Sequence, residues 1–150
     1  SLFPTPSSSV LNVSTYEEAL ERNREVTGKG ISIQAWNLVP QIRQLRNVIR
    51  PSDTNQFVEC HPESSFAAMA NSPLLSKKLE MGIAQRVELV RAYIPDIDAV
   101  IKQLPKKCKV DDALDACAAA WTAKRYVRNK AIVFGGSEED LEGYPLRIII

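Results

Sequence analysis

Apolar positions in this chain recur mostly at three- and four-residue intervals, the period of a helix with one buried side. Ile33, Trp36, Leu38, Val39, Ile42, Leu45 and Ile49 form the widest such stripe. Ser32 precedes it as the expected cap, and Pro40 within it predicts a kink. Leu79, Ile83, Val87 and Val90 mark a second long helix over residues 77–93, weakened by Gly82. A third begins at Ser14, with Glu17 as its capping-box partner, and stops at Thr27-Gly28-Lys29-Gly30. Shorter helices are expected over 63–70, behind Pro62, and over 95–104, ended by Pro105. The last long helix covers residues 111–128. Residues 1–13 read as extended, because Pro4 and Pro6 block a helix.

Strand signals are scarcer. Residues 55–61 give the clearest one, with Phe57, Val58 and Cys60 apolar and Pro62 ending the run. Residues 131–134 and 146–150 add two β-branched segments, separated by an acidic loop that opens at Gly135-Gly136. Three strands are few for a closed sheet. The pattern predicts a single helix-rich α/β domain over residues 1–150, either an unusual small α/β unit or one whose other strands come from sequence not present here.

Composition narrows the class. The chain has 150 residues, 45% hydrophobic and 25% charged, the balance of a soluble globular domain. A net charge of +1 excludes a bulk field for polyanions, so any such partner must meet a local patch. Cys60, Cys108 and Cys117 form no C-x-x-C pair and leave an odd thiol. That argues against a disulfide framework and for a reducing, cytoplasmic setting. No apolar run is long enough to span a bilayer, so no membrane partner is expected. The first residues also lack the basic start and apolar centre of a signal peptide.

The chemistry concentrates in Asp111-Asp112-Ala113-Leu114-Asp115, at the start of an alanine-rich helix. Asp112 and Asp115 are three apart and share a face, where like charges repel. Two close acids on a tightly packed backbone suit a divalent cation. Acids in a first helical turn also complement the macrodipole, which accounts for Asp111 and explains Asp115 less well. Glu59, in the expected strand, is costly unless paired, metal-bound or exposed at an edge. The small residues after Asp115 would let the helix lie close to a sheet and bring its acids near Glu59. His61 is the sole histidine, with readings as base, phosphate contact, metal ligand or hydrogen-bonded hinge. Lys106, Lys107 and Lys109 lead into the acids and could hold a phosphate backbone or form a solvated loop. Lys124, Arg125, Arg128 and Lys130 suit a helix C-terminus. Trp36, Trp121 and Tyr126 read as core anchors.

Several stretches together resemble a known family. They are Tyr16-Glu17-Glu18-Ala19, Gly30-Ile31-Ser32-Ile33-Gln34-Ala35-Trp36 and Glu59-Cys60-His61-Pro62-Glu63-Ser64-Ser65-Phe66, followed by the acidic helix and Gly143-Tyr144-Pro145-Leu146-Arg147-Ile148. The chain resembles the predicted nuclease family of ribonuclease-H-like fold catalogued as domain of unknown function 429. Its acidic helix is also similar to that of bacterial Holliday-junction resolvases. The resemblance implies a mixed sheet with flanking helices and hydrolysis of phosphodiesters with two Mg2+ or Mn2+ ions. Glu59, Asp112 and Asp115 would be the catalytic metal ligands. Asp111 would be a reserve ligand or cap, His61 and Glu63 would support the ligands, and Lys106, Lys107 and Lys109 would contact nucleic acid. Enzymes of that fold carry an essential aspartate on a first strand, and this sequence has none before Asp53. The expectation is therefore a C-terminal portion lacking its N-terminal strands, inactive alone. Gln41 to Arg46 is a second departure, since acidic residues are expected there. The rival expectations are a non-catalytic nucleic-acid- or protein-binding module, and a homodimer formed through the stripe of residues 33–49.

Overall fold

The structure, a computed structural model, describes residues 5–140 and 142–150. Residues 1–4 of the expected extended lead-in, and Leu141 of the expected acidic loop, lie outside them. The fold is mostly helical, with one small two-stranded antiparallel sheet among the described residues. That sheet is smaller than the mixed one expected. The chain divides into two compact units, Ser1–Phe57 with Ser137–Leu146, and Val58–Gly136 with Arg147–Ile150.

In the first unit a 3-10 turn, Ser8–Asn12, interrupts the lead-in expected to be extended. Val10 there is buried, and Arg43 donates to the carbonyls of Leu11 and Val13. Helix α1 is Tyr16–Thr27. Its cap is Thr15 rather than Ser14, with Oγ1 accepting the Glu18 N–H at 3.3 Å. Glu18 reaches back to the Ser14 N–H at 3.1 Å. Both residue types can cap, so one-residue shifts are decided by how the helix packs. Gly28 ends α1 at φ 71°, a left-handed conformation that penalises a side chain. Helix α2, Ile33–Trp36, starts under the expected Ser32 cap. Pro40 does more than kink the stripe: it divides it, and lies in the first turn of helix α3, Val39–Val48. A proline there gives up an N–H that has no helical partner anyway. Val10, Ala19, Ile31, Ala35 and Val39 form this unit's core, with Tyr16 and Trp36 packed beside it. Of the apolar stripe, Ile33, Leu38 and Leu45 are exposed.

Arg46 gives the basic stretch 41–46 a purpose. It donates to Asp140 and Glu142, and its guanidinium lies 4.0 Å above the Tyr144 ring. Burial would push the Asp140 carboxyl up, but Arg46 and the N–H groups of Tyr144 and Glu142 hold it below its ordinary value. A carboxyl depressed in the folded state stabilises above its unfolded pKa, and that contribution is lost as pH falls through the folded value. The stability gap between wild type and Asp140→Asn should therefore be full at neutral pH and shrink below about pH 4. Denaturant titrations across pH check this, and a gap that stays constant would refute it. Arg46→Met should cost about 1.5–3 kcal/mol at neutral pH, the range for hydrogen bonds to charged groups.

The second unit holds helices α4, Pro62–Ala70, α5, Glu80–Arg91, α6, Ile97–Lys102, and α7, Val110–Val127. Phe66, Val90, Ile97, Leu114 and Ala118 are its core. Helix α7 packs on α4 and α5. The small residues of α7 thus admit a neighbouring helix rather than the expected sheet. Ser65 and Thr122 are buried at the α4–α7 contact, their hydroxyl oxygens 2.7 Å apart. Helix α5 starts three residues later than expected, at Glu80, because residues 73–79 form an irregular connection laid over it. Gly82 makes this close approach feasible, since a Cβ there would stand 2.1 Å from the Ser76 carbonyl oxygen. The glycine that weakened the helix signal is thus a packing requirement.

Strand β1 is Val133–Glu139 and strand β2 is Pro145–Ile149. Beyond their ends, Ile132 and Ile150 exchange N–H···O bonds of 2.7 and 2.8 Å. β1 continues through Gly135-Gly136, where a loop was expected. The expected strand at 55–61 shrinks to a single parallel bridge between Cys60 and Ile149. Its first half turns instead, as the Gln56 and Phe57 N–H groups bond back to the Asp53 carbonyl. Phe57 stays exposed, so the apolar run lacked the second face that would hold it extended. Among the described residues no helix is long and apolar enough to cross a membrane.

Candidate functional site

The strongest convergence of charge in the second unit surrounds Lys77. Its ammonium nitrogen lies 2.8 Å from Asp115 Oδ2 and 3.8 Å from Glu63 Oε1. Asp115 is on α7, in the second turn; Glu63 is in the first turn of α4; Lys77 is on the connection into α5. Helix α4 starts at Pro62, where the sequence breaks extended structure, and that places Glu63 at its N-terminus. The α4–α7 contact then brings Glu63 and Asp115 to the same lysine. The hydrogen bond to Asp115 raises the Lys77 pKa despite partial burial, and the charges of Glu63 and Asp111 add to it. Lys77 is therefore firmly cationic.

Arg86 holds this arrangement from beneath. The residue is 2% exposed. Its Nη1 donates to the carbonyls of Gly82 at 2.6 Å and Leu75 at 2.9 Å, and its Nη2 to Glu63 Oε2. The guanidinium thus ties the Lys77 connection to α5 and fixes the Glu63 carboxylate. Among the described residues Glu63 Oε1 and Asp115 Oδ1 are buried and have no hydrogen-bond partner, although Oε1 faces the Lys77 ammonium at 3.8 Å. Orphaned carboxylate oxygens are costly, and a cation is what satisfies them.

The expected site residues are distributed differently. Asp112 is exposed and accepts the Lys109 N–H at 3.4 Å, a long cap on its own helix. Asp111 is half-buried and contributes its field to Lys77. Glu59 is exposed, and its carbonyl accepts the Ile149 N–H at 2.8 Å. Among the described residues no group of three histidines, cysteines or acids could hold a metal ion. The structure brings Asp115 to Glu63, with Asp111 nearby. His61 caps α4, its Nδ1 accepting the Ser64 N–H at 3.3 Å and lying 2.8 Å from Ser64 Oγ. Lys106, Lys107 and Lys109 are exposed and enter no ion pair among the described residues. Cys60, Cys108 and Cys117 are free thiols. Burial, then the Glu59 charge, pushes the Cys60 thiol up, and burial does the same to Cys117, so neither is primed as a thiolate.

Sequence reasoning missed Lys77 and Arg86. For Arg86 a signal existed: it lies four residues before Val90 and three after Ile83, within the apolar face of α5. Lys77 carried none, since its partners are 14 and 38 residues away.

Fold and site together define a mostly helical protein with an acidic pair closed around a lysine. The model of the family described as Protein of unknown function (DUF429) matches residues 1–140, and the chain belongs to that family. Neither the curated proteins nor the solved structures give a significant match.

Proposed function

We propose that the chain carries the acidic part of a divalent-cation-dependent nuclease of ribonuclease-H-like type, acting on phosphodiesters. The observation that supports this reading is the pair of orphaned oxygens on Glu63 and Asp115. Mg2+ characteristically takes one or two carboxylates and completes its shell with water and substrate phosphate. Two acids with a spare oxygen each fit that demand, and Asp111 or Glu59 would add a third where the chain moves to meet substrate. A bound ion would activate water and stabilise the leaving oxygen. Glu63 is oriented by Arg86, Asp115 by its place on α7, and Lys77 keeps its proton and screens phosphate charge. Lys77 also favours the rival reading, a non-catalytic binding module, because its ammonium already neutralises both acids.

Calorimetric titration with MnCl2 separates the two. The nuclease reading expects binding by the wild-type chain, weakened at least about tenfold in Asp115→Asn and in Glu63→Gln. Lys77→Met, which removes the competing ammonium, should bind more tightly. Absence of binding in the folded wild type, or binding indifferent to Asp115→Asn, leaves the non-catalytic module.

A further inference from the structure

The C-terminal end of α7 carries charge that the acidic site does not use. Lys124, Arg125, Arg128 and Lys130 fall within seven residues that contain no acid. None of them enters an ion pair among the described residues. A helix C-terminus amounts to about half a negative charge, so one cation answers it and the rest remain in excess. Lys124, Arg128 and Lys130 are exposed. The lysines at 106, 107 and 109 differ, because Asp111 and Asp112 follow directly and offset them.

Aromatic rings border one of these cations, Arg125. The Arg125 guanidinium lies 4.5 Å above the Trp121 ring. Tyr93 meets Trp121 edge-on at 6.1 Å and is itself 54% exposed. Trp121, Arg125 and Arg128 follow at four- and three-residue spacing, so they share one side of α7. Among the described residues Arg125 Nε is buried without a hydrogen-bond partner and Arg125 pairs with no acid, so stacking on Trp121 holds this guanidinium. Trp121 thus supports a basic edge instead of serving only as a core anchor.

We propose that this surface binds single-stranded nucleic acid, with Lys124, Arg128 and Lys130 on successive phosphates and a base stacked on Tyr93. Excess positive charge beside an open aromatic ring is the combination that unpaired strands require. The inference goes beyond the nuclease reading, because this surface needs no metal.

The test is fluorescence anisotropy with a short labelled oligothymidylate, in EDTA so that the acidic site makes no contribution. Replacing Lys124, Arg128 and Lys130 together by alanine should weaken binding at least about tenfold and lower the salt slope by about two. Tyr93→Ala should weaken it about fivefold or more with the slope unchanged, and Tyr93→Phe should restore it. The proposal is overturned by affinity unchanged in the triple variant, by loss that falls instead on Lys106, Lys107 and Lys109, or by binding to anionic vesicles without oligonucleotide binding. Since EDTA removes divalent ions, a failure here leaves the manganese result standing, and the reverse.

Discussion

Phe66→Ala should lower the stability of the second unit by about 3–5 kcal/mol, among the largest losses available to a single truncation. Phe66 is fully buried and sits with Leu114 and Ala118 of α7, Val90 of α5 and Ile97 of α6. Removing the ring deletes its transfer free energy and leaves a cavity between helices that are already in contact. Beside that space Ser65 and Thr122 are buried with their hydroxyl oxygens 2.7 Å apart, and a shift of α4 against α7 that parted them would leave both unpaired. Collapse into the cavity is thus opposed by a second cost. Circular dichroism in urea reports the change, and a midpoint within error of wild type would remove Phe66 from the core. The same variant should relax the site, since Glu63 is three residues before Phe66 on α4 and Asp115 follows Leu114 on α7. Weakened Mn2+ binding at denaturant levels where the helices persist would show that coupling.

Arg86→Met should cost about 3 kcal/mol. Removing one partner of a buried ion pair costs about 3–5 kcal/mol, and the lower end applies because Glu63 is 36% exposed and can recover water. Three acceptors lose the guanidinium at once: the carbonyls of Leu75 and Gly82, the latter keeping its helical N–H, and the Glu63 carboxylate, which keeps only Lys77 among the described residues. Methionine fills much of the volume, so the loss reports missing hydrogen bonds more than a cavity. A local consequence separates this from general destabilisation. The connection over residues 73–79 is held through Leu75, whose N–H bonds the Gln85 side chain at 3.0 Å and whose carbonyl bonds Arg86. Hydrogen exchange should speed up there before it does in α7. Arg86→Lys should recover only part of the stability, since an ammonium cannot span the same fork of acceptors. Unchanged exchange at residues 73–79 in Arg86→Met would mean that the guanidinium does not fasten them.

Fold features legible in the sequence are those whose cause lies within a few residues. Gly28 ends α1, Ser32 caps α2 and Pro62 opens α4, each through groups on the same turn. Where two local solutions compete, the outcome moves by a residue, as with Ser14 and Thr15. The strand expected at 55–61 shows the opposite case. A strand owes its existence to a partner elsewhere, and only Cys60 found one, at Ile149. The start of α5 was misplaced for a similar reason. Residues 77–79 are compatible with a helix, but Arg86 and Gly82 hold the preceding chain against the helix surface, where it cannot coil.

The candidate site divides along the same line. That acids crowd one helix start was readable from Asp111, Asp112 and Asp115. Which acids meet was not readable. Asp115 is joined to Glu63, 52 positions earlier, only because Ala118, Ser65 and Thr122 are small enough for α7 to lie directly on α4. By itself the sequence determined the glycine stop of α1, the cap of α2, the proline start of α4 and the supply of acids and bases, since propensity, capping and composition act locally. Tertiary packing alone decided that a lysine closes the acidic pair, that a buried arginine supports it and that two oxygens find no hydrogen-bond partner among the described residues. Those facts depend on distances across the chain, which side-chain volumes at helix contacts set and residue spacing does not.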